Sequence, residues 1–263
     1  MDNVNRTLYI PLYGKAYVSK KGIILDDKKA EEIWEKEGFE LKGKSKSKWL
    51  AYYMGMRSAV FDHWLRDKME EEKDAVVLHI GCGMDSRVLR VENGNHLWYD
   101  IDFQDVIQER KKYYEESDTY HMIEGDAREK NFLTEISKAG RAIVVLEGIS
   151  MYLSNEEVRA LLQNINHHFG KVSILMDCYT TLAAKASQYK NPINDVGVTK
   201  VYGIDDPESV VNGTEISFVM EHDMTPQKLI DELNGLEKYI FKKVYAGKAS
   251  RKLYRLYEYR SCE

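Results

Sequence analysis

Cysteine is scarce: Cys82, Cys178 and Cys262 are the three in 263 residues. They are odd in number, far apart and outside any Cys-x-x-Cys or Cys/His spacing, which excludes a disulfide framework and a structural zinc site; no metal is expected. A reducing, cytoplasmic compartment fits this usage. Long hydrophobic runs are missing too. No apolar stretch approaches the ~20 residues that span a bilayer, and Met1-Asp2-Asn3-Val4-Asn5 lacks the basic–apolar pattern of a leader. No membrane partner is expected. Positive charge is not in excess: Lys plus Arg number 38 against 43 Asp plus Glu, a formal net charge of −5. With a pI near 5.9, that argues against nucleic acid as the main partner. Internal repeats and low-complexity tracts are absent. What remains is a globular composition, 43% hydrophobic and 31% charged, in a chain long enough to bury a full core as one domain.

The organising stretch is Ala75-Val76-Val77-Leu78-His79-Ile80-Gly81-Cys82-Gly83-Met84-Asp85-Ser86-Arg87. A β-branched run ends in two glycines one residue apart and then meets polar residues able to open a helix. This is the strand–loop–helix of a nucleotide-binding α/β unit. A Cβ at either glycine would hold the backbone away from a ligand lying across the loop.

The rest of the chain alternates. Strands are expected at 75–80, 96–101, 119–123, 142–146 and 172–176, and helices at 85–91, 103–116, 129–138 and 155–168. Such alternation predicts a mostly parallel sheet with helices on both faces, binding its ligand over the C-terminal strand ends. Before it, residues 1–48 read as an N-terminal helical cap, with Asp26-Asp27 capping a helix through Ala30, Ile33 and Trp34 that Gly38 ends. A long helix spans Trp49 to about Lys68, on whose apolar face lies Arg57, paired or reaching water. After the fifth strand, residues 178–220 read as an insertion that closes over a substrate, with Tyr179–Tyr189 helical and Asn191–Gly197 and Gly203–Pro207 as loops. A short strand is expected at 214–220. In 221–263, Thr225 caps a helix with Pro226 at its first position, and alternating runs at Tyr239–Tyr245 and Leu253–Tyr259 predict a C-terminal antiparallel hairpin.

Four acidic positions fall just past successive strand ends. Asp100 and Asp102 close the second strand, about twenty residues beyond the first glycine, where an acid can accept from ribose hydroxyls. Asp126 follows the third, placed for an adenine amine, and Glu147 ends the fourth, near the cationic end of a ligand. Any one of them alone is more often a turn or helix-cap residue than a ligand contact, but four at matched positions of one sheet are much less expected by chance. A dinucleotide fits poorly: the fingerprint's third glycine is replaced by Ser86, and Asp85 would face a pyrophosphate. S-adenosylmethionine, with adenine, ribose and an amino acid joined through a cationic sulfur, fits better.

Three motifs make the likeness specific: Leu78–Arg87, Asp100-Ile101-Asp102, and Glu147-Gly148-Ile149-Ser150-Met151-Tyr152-Leu153. Arg57 and Ile10-Pro11-Leu12-Tyr13-Gly14-Lys15-Ala16 agree with them. Together they resemble the leucine carboxyl methyltransferase family of class I S-adenosylmethionine-dependent methyltransferases, and within it the branch containing the tetracenomycin polyketide carboxyl O-methyltransferase. The resemblance implies a Rossmann-like sheet and S-adenosyl-L-methionine as cofactor, with S-adenosyl-L-homocysteine as product. It implies that Gly81, Cys82 and Gly83 form the turn under the cofactor, and that Asp102 with Asp100 holds the ribose. Asp126 and Ala127 would line the adenine pocket. Glu147 would lie near the methionyl part, and Arg57 and Lys15 would pair with its carboxylate.

The expected activity is O-methylation of a small-molecule carboxylate or hydroxyl by in-line transfer. A carboxylate nucleophile is ionised near pH 7 and needs no base, so positioning and desolvation carry the catalysis. His79, inside a strand, reads as a satisfied core histidine. Tyr152 is the catalytic-site candidate, just after the fourth strand; Tyr9, Tyr13, Tyr17, Tyr179 and Tyr202 are further acceptor-side candidates. The competing readings are a protein C-terminal carboxyl methyltransferase, a nicotinamide-dependent reductase and a cofactor-binding scaffold without turnover. The oligomeric state is not legible.

Overall fold

A computed structural model describes residues 8–38, 41, 43–92, 94–187 and 200–262. Five parallel strands form its centre: β1 (Val76–Ile80), β2 (Trp98–Asp102), β3 (Tyr120–Glu124), β4 (Arg141–Leu146) and β5 (Lys171–Tyr179). Two more, β6 (Ile216–Glu221) and β7 (Tyr254–Ser261), complete a seven-stranded sheet in the order β3-β2-β1-β4-β5-β7-β6. β7 runs antiparallel to both of its neighbours. The order reverses between β1 and β4, and that crevice is the topological switch point where such sheets take ligands.

Every residue of β1 is buried because the sheet is covered on both faces. The two-residue period divides β1 and β4 between two cores. Val77, Ile143 and Val145 face one side, and Val76, Leu78, Ile80, Ala142, Val144 and Leu146 the other. The first core is covered by α1 (Tyr9–Lys20), α2 (Lys28–Glu37) and α3 (Lys48–Glu71), together with α4 (Arg87–Val91) and α5 (Gln104–Arg110). The second is covered by α6 (Asn155–Phe169), which opens with a full capping box between Ser154 and Glu157. Asp27 caps α2 by accepting Ala30 N–H at 2.8 Å, as the sequence predicts.

The expected N-terminal helical cap is present, and Pro11 sits in the first turn of α1, where a missing N–H costs nothing. Several finer expectations are corrected. The helix predicted over 103–116 ends at Arg110, and that over 129–138 shrinks to a 3₁₀ turn, Asn131–Glu135. Residues 239–245 are not a strand: they lie in the helix α9 (Gly235–Val244), with Phe241 buried and Tyr239 exposed. β7 therefore pairs with β6, and the helices α8 (Gln227–Ile230), α9 and α10 (Lys248–Arg251) lie between them in sequence. Thr225 does not cap α8; its N–H is taken by Asp223 Oδ1 at 3.0 Å, and Pro226 holds the cap position.

In the insertion, α7 (Thr181–Ser187) is helical as expected, while Tyr189 and Asn191–Gly197 lie outside the described residues. Its later part packs onto the core. Tyr202 N–H donates to Met151 O at 2.8 Å, Ile204 N–H donates to Tyr179 O at 2.7 Å, and Ile204 and Val210 are buried.

Candidate functional site

Beyond the ends of β1, β2 and β4 lies a cavity of about 200 Å³, roofed by Ile10, Pro11, Leu12 and Lys15 of α1 and by Leu50, Met54 and Arg57 of α3. Gly81, Cys82, Gly83, Asp102 and Glu147 line it, so the structure brings these five predicted residues together with Lys15 and Arg57. Gly81 and Gly83 have φ of +71° and +51°, a left-handed backbone that favours glycine. A Cβ on Gly81 would come within 2.9 Å of Ile149 Cδ1. The Ile149 side chain, on the loop after β4, is thus one neighbour that demands glycine there. Gly81 N–H donates to Ile101 O at 2.8 Å, and Gly83 N–H donates to Asp102 Oδ2 at 2.8 Å, tying the turn to β2.

Asp102 is half-buried, and among the described residues no cation comes within ion-pair distance of it. Its other oxygen accepts Phe103 N–H at 2.8 Å. Burial pushes its carboxyl up to about 6, against the pull of the Gly83 and Phe103 amides. A cavity-wall carboxylate without a cation is a ready acceptor for a ligand's hydroxyl groups.

Asp100, its expected partner, is fully buried and not on the cavity wall. One of its oxygens accepts Trp98 Nε1–H at 2.9 Å and meets His79 Nδ1 at 3.1 Å; the other takes Tyr120 OH at 2.7 Å and Arg110 Nη2. Burial opposes its ionisation, yet Arg110 and His79 hold the carboxyl down at about 2. The expectation that Asp100 flanks the ribose is corrected, because both oxygens are committed inside the fold. His79 is the satisfied core histidine expected: burial lowers its pKa despite Asp100, and its second nitrogen meets Arg87 Nη1 at 3.3 Å.

Asp126 is also turned away. It accepts Arg128 N–H and Nε–H at 2.9 Å each on Oδ1 and ion-pairs with the Arg128 guanidinium, making it a turn-capping residue. Ala127 is buried in the second core. Neither is on the cavity wall, where Phe103 and Val106 stand beside Asp102.

The buried charges form one connected network. Glu147 Oε1 accepts Arg57 Nε–H at 3.1 Å and the Ser58 hydroxyl at 2.9 Å, and its other oxygen takes Arg87 Nη2. Arg87 Nε continues to Asp62 at 2.7 Å, and Arg90 bridges Asp62, Asp85 and Asp27. Asp85, the acid that counted against a pyrophosphate, is already neutralised by Lys15 at 3.1 Å, Arg87 at 3.3 Å and Arg90 at 2.7 Å. Burial disfavours its charge, but Arg87, Arg90 and Lys15 keep the carboxyl well below its ordinary range. Lys15 therefore faces the cavity as half of an ion pair.

On the β4–β5–β7 side the wall is aromatic and apolar, with Met151, Tyr152, Tyr179 and Tyr254. Of the tyrosines expected at an acceptor, Tyr152 and Tyr179 are there. Tyr9 packs in the first core, Tyr13 meets Trp34 at a tilt and Tyr17 meets Tyr52 edge-on. Sequence reasoning missed Tyr254, Arg87 and Asp177. Asp177 closes the apolar run of β5, the same acid-at-strand-end signal that marks Asp102 and Glu147. Among the described residues no group of three or more His, Cys, Asp or Glu side chains is placed to hold a metal, and no helix is long and apolar enough to cross a membrane.

Comparison with known proteins places this geometry in context. Residues 7–166 match the family model of the leucine carboxyl methyltransferases. The chain is 25% identical over 243 residues to the tetracenomycin polyketide synthesis O-methyltransferase of Streptomyces glaucescens, covering 91% of this chain and 90% of that protein. It is 24% identical over 233 residues to an S-adenosyl-L-methionine-dependent methyltransferase of Gibberella zeae, covering 80% and 78%. Among solved structures, a DUF574-family protein from Streptomyces avermitilis shares the fold with a TM-score of 0.61 at 8% identity, over 94% of this chain and 97% of that one. The magnesium protoporphyrin IX methyltransferase of Synechocystis, solved with bound S-adenosylhomocysteine, has a TM-score of 0.51 at 11% identity, over 88% and 93%.

Proposed function

The chain belongs to the leucine carboxyl methyltransferase family and is an S-adenosylmethionine-dependent methyltransferase, and from that premise we propose that it methylates an oxygen of a small molecule, a carboxylate before a hydroxyl. The observation that carries the choice is the acceptor-side wall. Among the described residues its polar side-chain groups are tyrosine hydroxyls, and the acids and the histidine elsewhere on the cavity wall are ion-paired, core-bonded or on the β2 side. A hydroxyl acceptor wants a general base; a carboxylate is already ionised near pH 7. The likeness to the tetracenomycin polyketide synthesis O-methyltransferase also supports a small-molecule acceptor.

The residues fit the cofactor. Asp102 offers two carboxylate oxygens, without a competing cation, to the two ribose hydroxyls. Phe103 and Val106 take the adenine ring, and Gly81, Cys82 and Gly83 let the backbone lie close. Arg57 and Lys15 supply cationic donors for the amino-acid carboxylate, with Glu147 balancing Arg57. Bound S-adenosylmethionine supplies a methyl group on a cationic sulfur, which leaves as a neutral thioether and needs no acid. The chain's own work is then to hold and desolvate the acceptor. Tyr152 and Tyr179 orient it, and α1 above them excludes water. We place the acceptor oxygen beside Tyr152.

The test has two parts. Calorimetric titration should show S-adenosylhomocysteine binding and no NADH binding; the reverse result rejects the cofactor assignment. Methyl transfer from labelled cofactor to a panel of carboxylic acids and phenols should then give a product whose label is released by mild alkali, as an ester requires. An alkali-stable methyl ether would make the acceptor a hydroxyl.

A further inference from the structure

Arg57 reaches the cavity wall with its guanidinium gripped from two sides. Nε and Nη2 contact a single oxygen of Glu147 at 3.1 and 3.0 Å. On the opposite side, Nη1 donates to Asp177 Oδ2 at 2.9 Å and to the Tyr254 hydroxyl at 3.0 Å. Tyr254 in turn donates to that same Asp177 oxygen at 3.1 Å, closing a ring of three side chains. The other Asp177 oxygen accepts Gly148 N–H at 2.7 Å, so the ring is anchored to the loop directly after Glu147. Asp177 is completely buried, and Arg57 and Tyr254 are exposed by only 3% and 8%. The Tyr254 ring is fixed edge-on by Tyr179 at 4.9 Å and Tyr53 at 6.1 Å.

A guanidinium donates in a rigid plane, so holding two of its edges fixes the direction of every N–H it has. Glu147 alone would not do this. It is shared with Arg87 and meets Arg57 through one oxygen, leaving the plane free to turn about that contact. The second grip removes the freedom. A site whose donor is ordered beforehand loses less on binding than one that must order it.

We propose that Asp177 and Tyr254 are positioning residues for the cofactor, holding the plane of Arg57 in the orientation that receives the carboxylate of S-adenosylmethionine. This rests on the assignment of Arg57 to that carboxylate. Asp177 is absent from the cavity wall and reaches it through Arg57 and through the Gly148 N–H that it accepts, whereas Tyr254 lies on the wall itself. The two come from adjacent antiparallel strands, β5 and β7.

The test titrates the full chain and its variants with two ligands. One is S-adenosylhomocysteine; the other is 5′-methylthioadenosine, which keeps the adenosine and the sulfur and lacks the amino-acid carboxylate. Tyr254→Phe removes a single oxygen, and Asp177→Asn keeps the side-chain shape. Each should weaken S-adenosylhomocysteine about tenfold, the scale of one hydrogen bond to a charged group. Each should leave methylthioadenosine within about twofold of wild type, since no carboxylate is there to be received. Equal losses for both ligands would mean a merely structural role and overturn the proposal. Unchanged S-adenosylhomocysteine affinity in Tyr254→Phe, while Arg57→Lys weakens it, overturns the positioning role and keeps the Arg57 assignment. Unchanged affinity in Arg57→Lys removes that assignment itself. Tyr254→Phe keeps the test open if Asp177→Asn does not fold.

Discussion

Glu147 and Arg57 stand 90 residues apart in sequence, and a single oxygen of Glu147 takes both the Nε of Arg57 and the hydroxyl of the next residue, Ser58. α3 is thereby locked to the loop after β4 at the cavity wall. The other Glu147 oxygen is held by Arg87, so one carboxylate serves two buried arginines. Burial works against the charge of Glu147, and Arg87 and then Arg57 outweigh it and lower the carboxyl's pKa.

Glu147→Gln should therefore be a stability variant before it is a binding variant. It leaves two buried guanidiniums with too little negative charge, at a cost of about 3–5 kcal/mol. The measure is the urea midpoint, which should fall with the slope unchanged. A variant as stable as wild type would show that Glu147 does not hold this wall together.

Asp102→Asn should behave in the opposite way. The Asp102 carboxyl rises from 3.8 to about 6 on folding. A raised carboxyl favours the fold fully below pH about 4 and loses that contribution as pH climbs through about 6. The stability of the Asn variant relative to wild type, without ligand, should thus rise as pH climbs from about 4 to 7.5, against a constant loss of one of the two oxygens that accept the Gly83 and Phe103 N–H groups. Its affinity for S-adenosylhomocysteine should drop by about tenfold or more. Affinity retained alongside that pH dependence would remove Asp102 from the ribose.

Asp100→Asn separates the two neighbours. This carboxyl is depressed to about 2, so its stabilisation is present above pH about 4 and is lost as pH falls through 2. The variant should be less stable than wild type at pH 7 by about 2–3 kcal/mol, with the gap closing in acid. Calorimetry at pH 7 should find S-adenosylhomocysteine affinity nearly unchanged, because Asp100 faces the core and not the cavity.

Tyr152→Phe should leave S-adenosylhomocysteine affinity intact and raise the KM for the acceptor several-fold. A fall in kcat alone, with KM preserved, would instead give the hydroxyl a part in the transferring step.

How far the sequence was legible follows from which signals are local. The β1–Gly81–Gly83 turn, the acids at the ends of β2 and β4 and the long helix carrying Arg57 are short-range patterns, and all three occur where expected. Tyr239–Tyr245 misled because a short, largely apolar run suits a strand and a helix alike; the packing of Phe241 against Tyr52 accompanies the helix. Asp100 and Asp126 were indistinguishable from Asp102 by position. Only the cations that reach them, Arg110 and Arg128, show that they are occupied. The Arg57–Asp177–Tyr254 ring could not be read at all, since it joins three elements that only tertiary packing brings together.

β7 is enclosed on both sides by other strands, and it is also the last strand along the chain. Tyr254 lies 197 residues after Arg57. During synthesis, the glycine turn, Arg57, Glu147 and Asp177 are all present long before the partner that completes their ring. In that interval β5 has an open edge able to pair with other chains. Insertion of β7 both covers the β5 edge and brings Tyr254 to Arg57, leaving β3 and β6 as the edges of the sheet.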